Sequence, residues 1–278
     1  MTRLVSADID GLGTSLPEYE AFLRRLTGKG LAGIAAHARV EGQGEAACVQ
    51  ALESSLIGIV PVSYGEGVIS GFTEALRDIV TFLGADGFIT RQANILGMAE
   101  AVERGASMLL LSDDDDFMAL NLRDNRTSHN SEATGQGFAA ALALMAEGLE
   151  EKEVLVVGAG PVGSAATAWI DSHGGRCLIH DHSIEAARRL AQSIPGARIA
   201  DQLEPALARC DLVIEATPAA NLLRRAWLRP EHRIAAPGVP LGVETGAEHD
   251  LQALAGGHIV HDRLEIGVAT MLFAVVGP

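Results

Sequence analysis

A strand that runs directly into a glycine-rich turn constrains the fold of this chain more than any other feature. The apolar run Val154–Val157 leads into Gly158-Ala-Gly160-Pro-Val-Gly163. The first glycine permits a tight turn, the second lets backbone approach a pyrophosphate, and the third lets the next helix pack against the strand. The predicted helix, Ser164–His173, presents free N–H groups and its positive dipole end to phosphates, and Pro161 and Val162 are candidate cofactor contacts together with the glycines. The motif predicts a dinucleotide site.

An acidic residue stands at the position that such a site uses for the adenosine ribose. A second strand, Arg176–His180, is followed by Asp181, about 20 residues beyond the glycines. A carboxylate there accepts hydrogen bonds from ribose hydroxyls and repels a 2′-phosphate. The spacing therefore favours NAD over NADP as cofactor, against the simpler interpretation of a glycine turn in some other α/β unit.

The rest of the second half alternates strand and helix. Further strands are predicted at Arg198–Ala200, Leu212–Ala216, Arg233–Ala236 and His258–His261. Parallel strands of this kind bind ligands at their carboxyl edge. The residues that follow two of these strands are expected to line the cofactor, although a structural turn explains them nearly as well. They are Ala216, Thr217, Pro218, Pro237 and Gly238.

The first half also reads as α/β, after an initial helical segment. Helices are predicted at Pro17–Leu26, Leu31–His37, Ser70–Leu83 and Ile95–Arg104, with strands at Leu56–Val62, Gly87–Thr90 and Ser107–Leu111. This alternation predicts a parallel sheet. The polar, acidic residues 112–134 receive no helix or strand, and Gly135–Leu149 is predicted to be a helix that links the halves. The expected domains are residues 1–136, for substrate, and 137–278, a doubly wound Rossmann domain whose last helix is free to pack back on the first.

Charge and composition exclude several classes of partner. The net charge of -15 argues against nucleic acid and anionic membranes, and suits a cationic small molecule. The N-terminus lacks the apolar core of a signal peptide, so the cytoplasm is the expected location. The three cysteines form no metal-ligand pair. No metal is expected, although a carbonyl-bound ion at the acidic cluster stays open, as does the oligomeric state, a homodimer included.

Several blocks in order carry a resemblance to a known family. They are Gly58–Gly67, Gly87–Thr90, Ser112–Asp115 with Asn121-Leu122, Lys152–Gly163, Ile214–Pro218, Pro237–Pro240 and Ile266–Leu272. On these blocks, the chain resembles the pyrrolysine-biosynthesis dehydrogenase family, PylD. The nucleotide blocks alone fit many dehydrogenases. The glycine loop at 58–67, the acidic block and the C-terminal block make the match specific.

The resemblance implies a two-domain enzyme that uses NAD. Its substrate would be 3-methylornithine joined through an amide to the side-chain nitrogen of lysine. Hydride would leave the carbon that bears the terminal amine of the ornithine part. The resulting imine would lose ammonia as the α-amine closes on it, giving the pyrroline ring of pyrrolysine.

The resemblance also assigns catalytic candidates among the acidic residues. Hydride leaves an amine-bearing carbon only when that amine is neutral, and a substrate with several amines calls for carboxylate contacts. Asp113 and Asp114 match the family's acidic pair, and one of them is expected to contact a substrate amine. Asp262 stands where the family has glutamate. A solvated surface loop is the competing interpretation of all three.

Four further residues are candidates for substrate binding. Ser63 would place a hydroxyl near the substrate carboxylate or amide, and Tyr64 replaces a small polar residue of the family at the next position. Asn121 belongs to the resembling block. Glu265 stands at a position where the family is expected to have glycine. In this interpretation, its carboxylate takes over the substrate contact that the short side chain of Asp262 does not reach.

Two alternatives from other classes remain at this point. A shikimate-like or methylene-tetrahydrofolate dehydrogenase would need a catalytic lysine, but the chain holds only Lys29 and Lys152, neither at a candidate site. A protein that senses NAD without turnover would show tight NAD binding and form no NADH. The dehydrogenase of the resembling family is the preferred prediction.

Overall fold

The structure is a computed structural model that describes residues 4, 6–39, 44–65, 67, 69–246 and 258–276. The chain folds into two compact units. Met1–Phe22, Gly30–Ala133 and Leu264–Pro278 form unit 1, whereas Leu23–Lys29 and Thr134–Arg263 form unit 2. Each unit contains one sheet with helices, so the predicted α/β class is confirmed.

Helices and strands alternate along most of the described chain. In chain order they are α1 (Ser6–Ile9), α2 (Leu12–Thr27), α3 (Leu31–Ala38), α4 (Glu45–Glu53), β1 (Leu56–Val60), α5 (Phe72–Phe82), β2 (Asp86–Ile89), α6 (Asn94–Glu103), β3 (Met108–Ser112), β4 (Phe117–Asn121), β5 (Arg126–His129), α7 (Asn130–Met145), β6 (Glu153–Val157), α8 (Pro161–Ser172), β7 (Arg176–His180), α9 (Ile184–Ser193), β8 (Arg198–Ile199), α10 (Leu203–Arg209), β9 (Leu212–Glu215), β10 (Arg233–Ala236), β11 (Ile259–His261) and α12 (Glu265–Val275). A short 3₁₀ helix, Arg225–Trp227, lies between β9 and β10.

The sheet of unit 1 is mixed rather than purely parallel. Its order is β2-β1-β3-β4-β5. Strands β2, β1 and β3 are parallel, as predicted, but β4 and β5 run antiparallel to their neighbours. They arise from the polar segment 112–134, for which no strand was predicted. In β4 the side chains of Phe117, Ala119 and Asn121 are buried and alternate with half-buried ones, the period of a strand with one covered face.

The last helix, α12, packs against α3, α5, β4 and β5 of unit 1. Nearly all of its residues are buried. The guanidinium of Arg39 donates to the carbonyl oxygen of Phe273, and the side-chain amide of Asn121 donates to the carbonyl of Val275 at 2.9 Å. These bonds satisfy carbonyls that the end of a helix leaves without an intrahelical partner. The C-terminal segment is therefore a core element of unit 1.

The sheet of unit 2 is parallel throughout and has the order β11-β10-β9-β6-β7-β8. In chain order this is the 3-2-1-4-5-6 arrangement of doubly wound dinucleotide-binding sheets, and the strand order reverses between β6 and β9. Val157, the last residue of β6, pairs with His180 of β7 and Glu215 of β9. The three strands therefore end together, and the residues after them meet at one carboxyl edge.

Candidate functional site

The glycine loop after β6 is shaped by two close approaches of backbone. Gly158 has a φ of +103°, and a Cβ there would stand 2.6 Å from the carbonyl oxygen of Ala216. A Cβ at Gly163 would stand 1.9 Å from the carbonyl oxygen of Gly158. Side chains at either position would collide with backbone, so the turn and the close packing of α8 both require glycine.

Gly160 differs, because no atom of the described residues would prevent a side chain at this position. It precedes Pro161, the first residue of α8, with an ordinary negative φ, and among the residues that the structure describes nothing lies within 4 Å of where its Cβ would be. The backbone beside the helix start is thus open, and the N–H groups of Val162 and Gly163 belong to the first helical turn, which has no intrahelical acceptors. This open backbone leaves room for a phosphate group, and pyrophosphate binding by these residues stays a prediction.

Asp181 is held beside this loop at the end of β7. One carboxylate oxygen accepts the N–H of Ala159 at 2.7 Å, and the other accepts the N–H of Ser183 at 2.8 Å. The side chain is 11% exposed, and the exposed His182 ring lies 3.1 Å from it. Ser183 in turn caps α9 by accepting the N–H of Ala186. The carboxylate is therefore fixed next to the glycine turn.

The predicted contacts Ala216, Thr217, Pro218, Pro237 and Gly238 lie in the loops that follow β9 and β10. Glu215, the last residue of β9, connects these loops. Its carboxylate accepts the N–H of Thr217 at 2.9 Å, the Thr217 hydroxyl at 2.5 Å and the N–H of Gly242 at 3.1 Å. The sequence had indicated Glu215 only as part of a strand end. The feature of the sequence that could have identified Glu215 is a charged residue in an otherwise apolar strand.

The Glu215 side chain is fully buried. Burial raises the pKa of this carboxyl to about 7, although its hydrogen bonds with Thr217 and Gly242 act in the opposite direction. Removing a carboxylate from water disfavours its charged form, and donated hydrogen bonds favour it. The loops thus enclose an acid that changes charge near neutral pH.

In unit 1, two loops at the carboxyl edge of the sheet join through Ser63. The N–H of Ser63 donates to Oδ1 of Asn94 at 2.9 Å, and Nδ2 of Asn94 donates to the Ser63 hydroxyl at 2.8 Å. Asn94 begins α6 with a φ of +57°, a conformation that asparagine tolerates better than most residues. Sequence reasoning found Ser63 but missed Asn94, whose signal was an asparagine between a strand and a helix.

The acidic block forms the turn between β3 and β4. Oδ1 of Asp113 accepts the N–H groups of Asp115 and Asp116, each at 2.9 Å, so this carboxylate closes the turn. Asp114 is exposed, and its carboxylate lies against the backbone of Gly65. A Cβ placed on Gly65 would stand 1.7 Å from Oδ2 of Asp114. The structure therefore brings Asp114 to the loop that carries Ser63.

Tyr64 lies in the same loop and is 67% exposed, while Glu66 lies outside the described residues. Asp116, the last residue of the turn, contacts the ring of His129 through its carboxylate. Ser63, Tyr64 and Asp114 thus share one edge of the unit 1 sheet. Polar and aromatic groups at that edge are suited to a small polar ligand.

Asn121 does not join this group. It pairs with Met108 at the amino end of β3, whereas Phe117, next to the acidic turn, pairs with Ser112 at the other end. The side chain of Asn121 is buried, and its oxygen accepts the N–H groups of Arg123 and Asp124. Four residues of strand separate it from the turn, about 13 Å. Its place in the fold corresponds to a structural role.

The two remaining predicted acids are both buried. Asp262 follows β11 in unit 2 and is 7% exposed. Glu265 is the first residue of α12 in unit 1, and its carboxylate accepts the N–H of Leu264 at 3.0 Å. Buried carboxylates need partners to offset their desolvation. Glu265 has such a partner in the N–H of Leu264, and the ligand-binding role of Asp262 stays a prediction.

The described part of the chain shows neither a metal-binding cluster nor a membrane-spanning helix. Among the described residues, no group of three or more His, Cys, Asp or Glu side chains is arranged to hold a metal ion. Within the same ranges, no helix combines the length and apolarity that crossing a bilayer requires.

Comparison with known proteins identifies the family. Residues 10–128 match the family described as pyrrolysine biosynthesis protein PylD, N-terminal domain. A pyrrolysine synthase of Methanosarcina acetivorans is 30% identical over 277 residues, which cover 99% of this chain and 100% of that protein. The chain belongs to the pyrrolysine synthase (PylD) family. A pyrrolysine synthase of Methanosarcina barkeri is 28% identical over 99% of this chain and 98% of its own length. The predicted family is confirmed, and the similarity extends to the N-terminal part as well.

Other matches concern the fold. Residues 141–232 match the shikimate / quinate 5-dehydrogenase family. Quinate dehydrogenase from Corynebacterium glutamicum in complex with NAD superimposes with a TM-score of 0.53 at 15% identity, covering 79% of this chain and 93% of that one. Shikimate 5-dehydrogenase from Thermus thermophilus, with NADP(H) and shikimate, gives a TM-score of 0.51 at 16% identity, covering 79% and 92%. The PylD-family chain therefore has the fold of these dehydrogenases.

Proposed function

We propose that this PylD-family protein is an NAD-dependent amine dehydrogenase of pyrrolysine biosynthesis. It acts on 3-methylornithine joined to the side-chain nitrogen of lysine, oxidising the terminal amine to an imine that cyclises with loss of ammonia. One observation carries the proposal: the chain matches a pyrrolysine synthase over 99% of its length. The open glycine loop at the start of α8 supports it.

The cofactor is assigned to unit 2. The backbone of Gly158, Gly160 and Gly163 approaches the pyrophosphate, and Asp181 accepts hydrogen bonds from the adenosine ribose. The same carboxylate repels a 2′-phosphate, which supports NAD over NADP. Bound NAD supplies the acceptor for the hydride that leaves the substrate.

The substrate amines are assigned to carboxylates. An ammonium group must lose a proton before hydride leaves its carbon, and a nearby carboxylate binds the cation and orients it. In unit 1, Asp114 is the proposed amine contact, with Ser63 and Tyr64 beside it. Asp113 holds the turn that presents Asp114, because its own oxygen already accepts two backbone N–H groups. Asp262 is proposed as the second acid, with Glu265 supporting the segment that follows it.

Lysine-dependent chemistry of the shikimate type finds no support. The chain has two lysines, and the ammonium of Lys152 bonds to the carbonyl of Ala146 ahead of β6. That position is at the amino end of the strand, away from the carboxyl edge where ligands of such sheets bind. A carboxylate-based amine site therefore fits these residues better than a lysine-based one.

Turnover of the amide tests the proposal. Purified protein mixed with lysine–methylornithine amide and NAD should form NADH, and the product should be lighter by ammonia plus two hydrogens. NADP should support a much slower reaction. NADH formed from a plain amino acid but not from the amide would overturn the substrate assignment, and tight NAD binding without any NADH would favour a sensor.

A further inference from the structure

Glu215 is a buried acid in the cofactor unit to which the proposed chemistry gives no role. It ends β9 at the carboxyl edge of the sheet, and its side chain has no exposed surface. A buried carboxylate is costly unless hydrogen bonds compensate for the lost water. Three hydrogen-bond donors of the protein bind this carboxylate, so the cost of its burial is compensated by specific bonds.

The donors come from the two loops that the sequence predicts to line the cofactor. Thr217, after β9, gives its N–H and hydroxyl to Oε1, and Gly242, after β10, gives its N–H to Oε2. A Cβ at Gly242 would stand 2.3 Å from the Glu215 carboxyl carbon, and one at Gly238 would stand 2.7 Å from Oε2. The second loop therefore closes on the carboxylate too tightly to admit a side chain.

We propose that Glu215 is a positioning residue that ties the loop after β9 to the loop after β10 and so fixes the nicotinamide half of the cofactor site. This inference rests on the proposed NAD function. Hydride transfer depends on placement to within a fraction of an ångström, and fully satisfied buried networks are rigid. Glu215 acts through Thr217 and Gly242 and needs no contact with substrate.

The carboxylate is the form that suits all three donors best. A glutamine amide turns one of its two ends into a donor that cannot accept, so Thr217 or Gly242 loses an acceptor, and a protonated carboxyl accepts more weakly at its O–H oxygen. The groups that act on the pKa of Glu215 are burial and its bonds to Thr217 and Gly242, and within the described part of the chain no charged side chain adds to them. Loss of its charge should therefore loosen the tie between the loops.

Glu215→Gln tests the proposal, with Glu244→Gln as matched control. Glu244 also accepts a backbone N–H between these two loops, from Arg225 at 2.7 Å, but with a single oxygen, so a glutamine keeps the acceptor. In E215Q, kcat should fall about tenfold to a hundredfold. Affinity for NADH should fall with it, whereas affinity for ADP-ribose, which lacks the nicotinamide, should stay within about twofold. E244Q should match the wild type in all three measurements.

The pH profile separates positioning from a general structural defect. The ratio of wild-type to E215Q kcat should rise as pH increases through about 7 and then level off, since only the wild type gains the carboxylate. If E215Q fails to fold, Thr217→Val removes one donor and should lower kcat while sparing ADP-ribose affinity. Equal loss of NADH and ADP-ribose binding, or an unchanged kcat, would overturn the proposal. If the wild type turns over no amide, the proposed function fails, while the two binding measurements still test Glu215.

Discussion

Replacing Glu215 by glutamine should change how the stability of this PylD-family protein depends on pH. Burial raises the pKa of the carboxyl from 4.5 to about 7. A folded protein with a raised acid pKa keeps a proton that the unfolded chain has released. Between these two pH values the folded state therefore binds more protons, and stability falls as pH rises.

The size of the effect follows from the same pKa. The difference between 4.5 and about 7 corresponds to roughly 3 kcal/mol of unfolding free energy, present below the lower value and lost above the upper one. Glutamine has no charge to bury at any of these pH values. E215Q should therefore lack this loss, although its amide leaves one donor poorly satisfied at every pH.

Urea unfolding near pH 5 and pH 8.5, followed by tryptophan fluorescence, measures the effect. Both tryptophans, Trp169 and Trp227, belong to unit 2, as does Glu215, so the signal reports the relevant unit. The wild type should lose roughly 3 kcal/mol relative to E215Q between the two pH values, and E244Q should follow the wild type. A wild-type-to-E215Q difference that is the same at both pH values would refute the reasoning.

Three further predictions concern the proposed sites. Asp181→Ala should weaken NADH binding about tenfold in a fluorescence titration, and unchanged affinity would disprove the ribose contact. Gly163→Ala should cost about 2 kcal/mol or more of stability because the methyl group meets a backbone carbonyl. Gly160→Ala should leave thermal stability nearly unchanged and weaken NADH binding. Equal stability losses in the two variants would contradict the assigned roles of the two glycines. Asp114→Asn should lower kcat/KM for the amide about tenfold, while its neighbour variant Asp115→Asn should match the wild type, and equal effects would remove Asp114 from the site.

The cofactor unit could be predicted because its signals are local. Strand β6, the glycines and Asp181 lie within 30 consecutive residues, and β7 and β10 have the predicted bounds. Gly163 meets the backbone of Gly158 within the motif itself, and the register of parallel strands then brings the strand ends together. The residues that matter for this part are near one another in sequence.

The substrate side was predicted less completely because its contacts are between distant segments. The partnership of Ser63 with Asn94 depends on two strand ends meeting in space, and the turn role of Asp113 depends on the antiparallel pairing of β4. Asn121 was grouped with the acidic block by its nearness in sequence, but the hairpin carries it to the other edge of the sheet. Glu215 needed the loop around Gly242 before its role became visible.

Isotope labelling of the transferred hydrogen is the sharpest test of the proposed reaction. The amide substrate is prepared with two deuterium atoms on the carbon that bears the terminal amine of its ornithine part. We expect one deuterium to appear in reduced NAD, the other to remain in the ring of the product, and ammonia to be released. Reduced cofactor without deuterium, or product formed with no reduced cofactor, would contradict hydride transfer from that carbon to NAD.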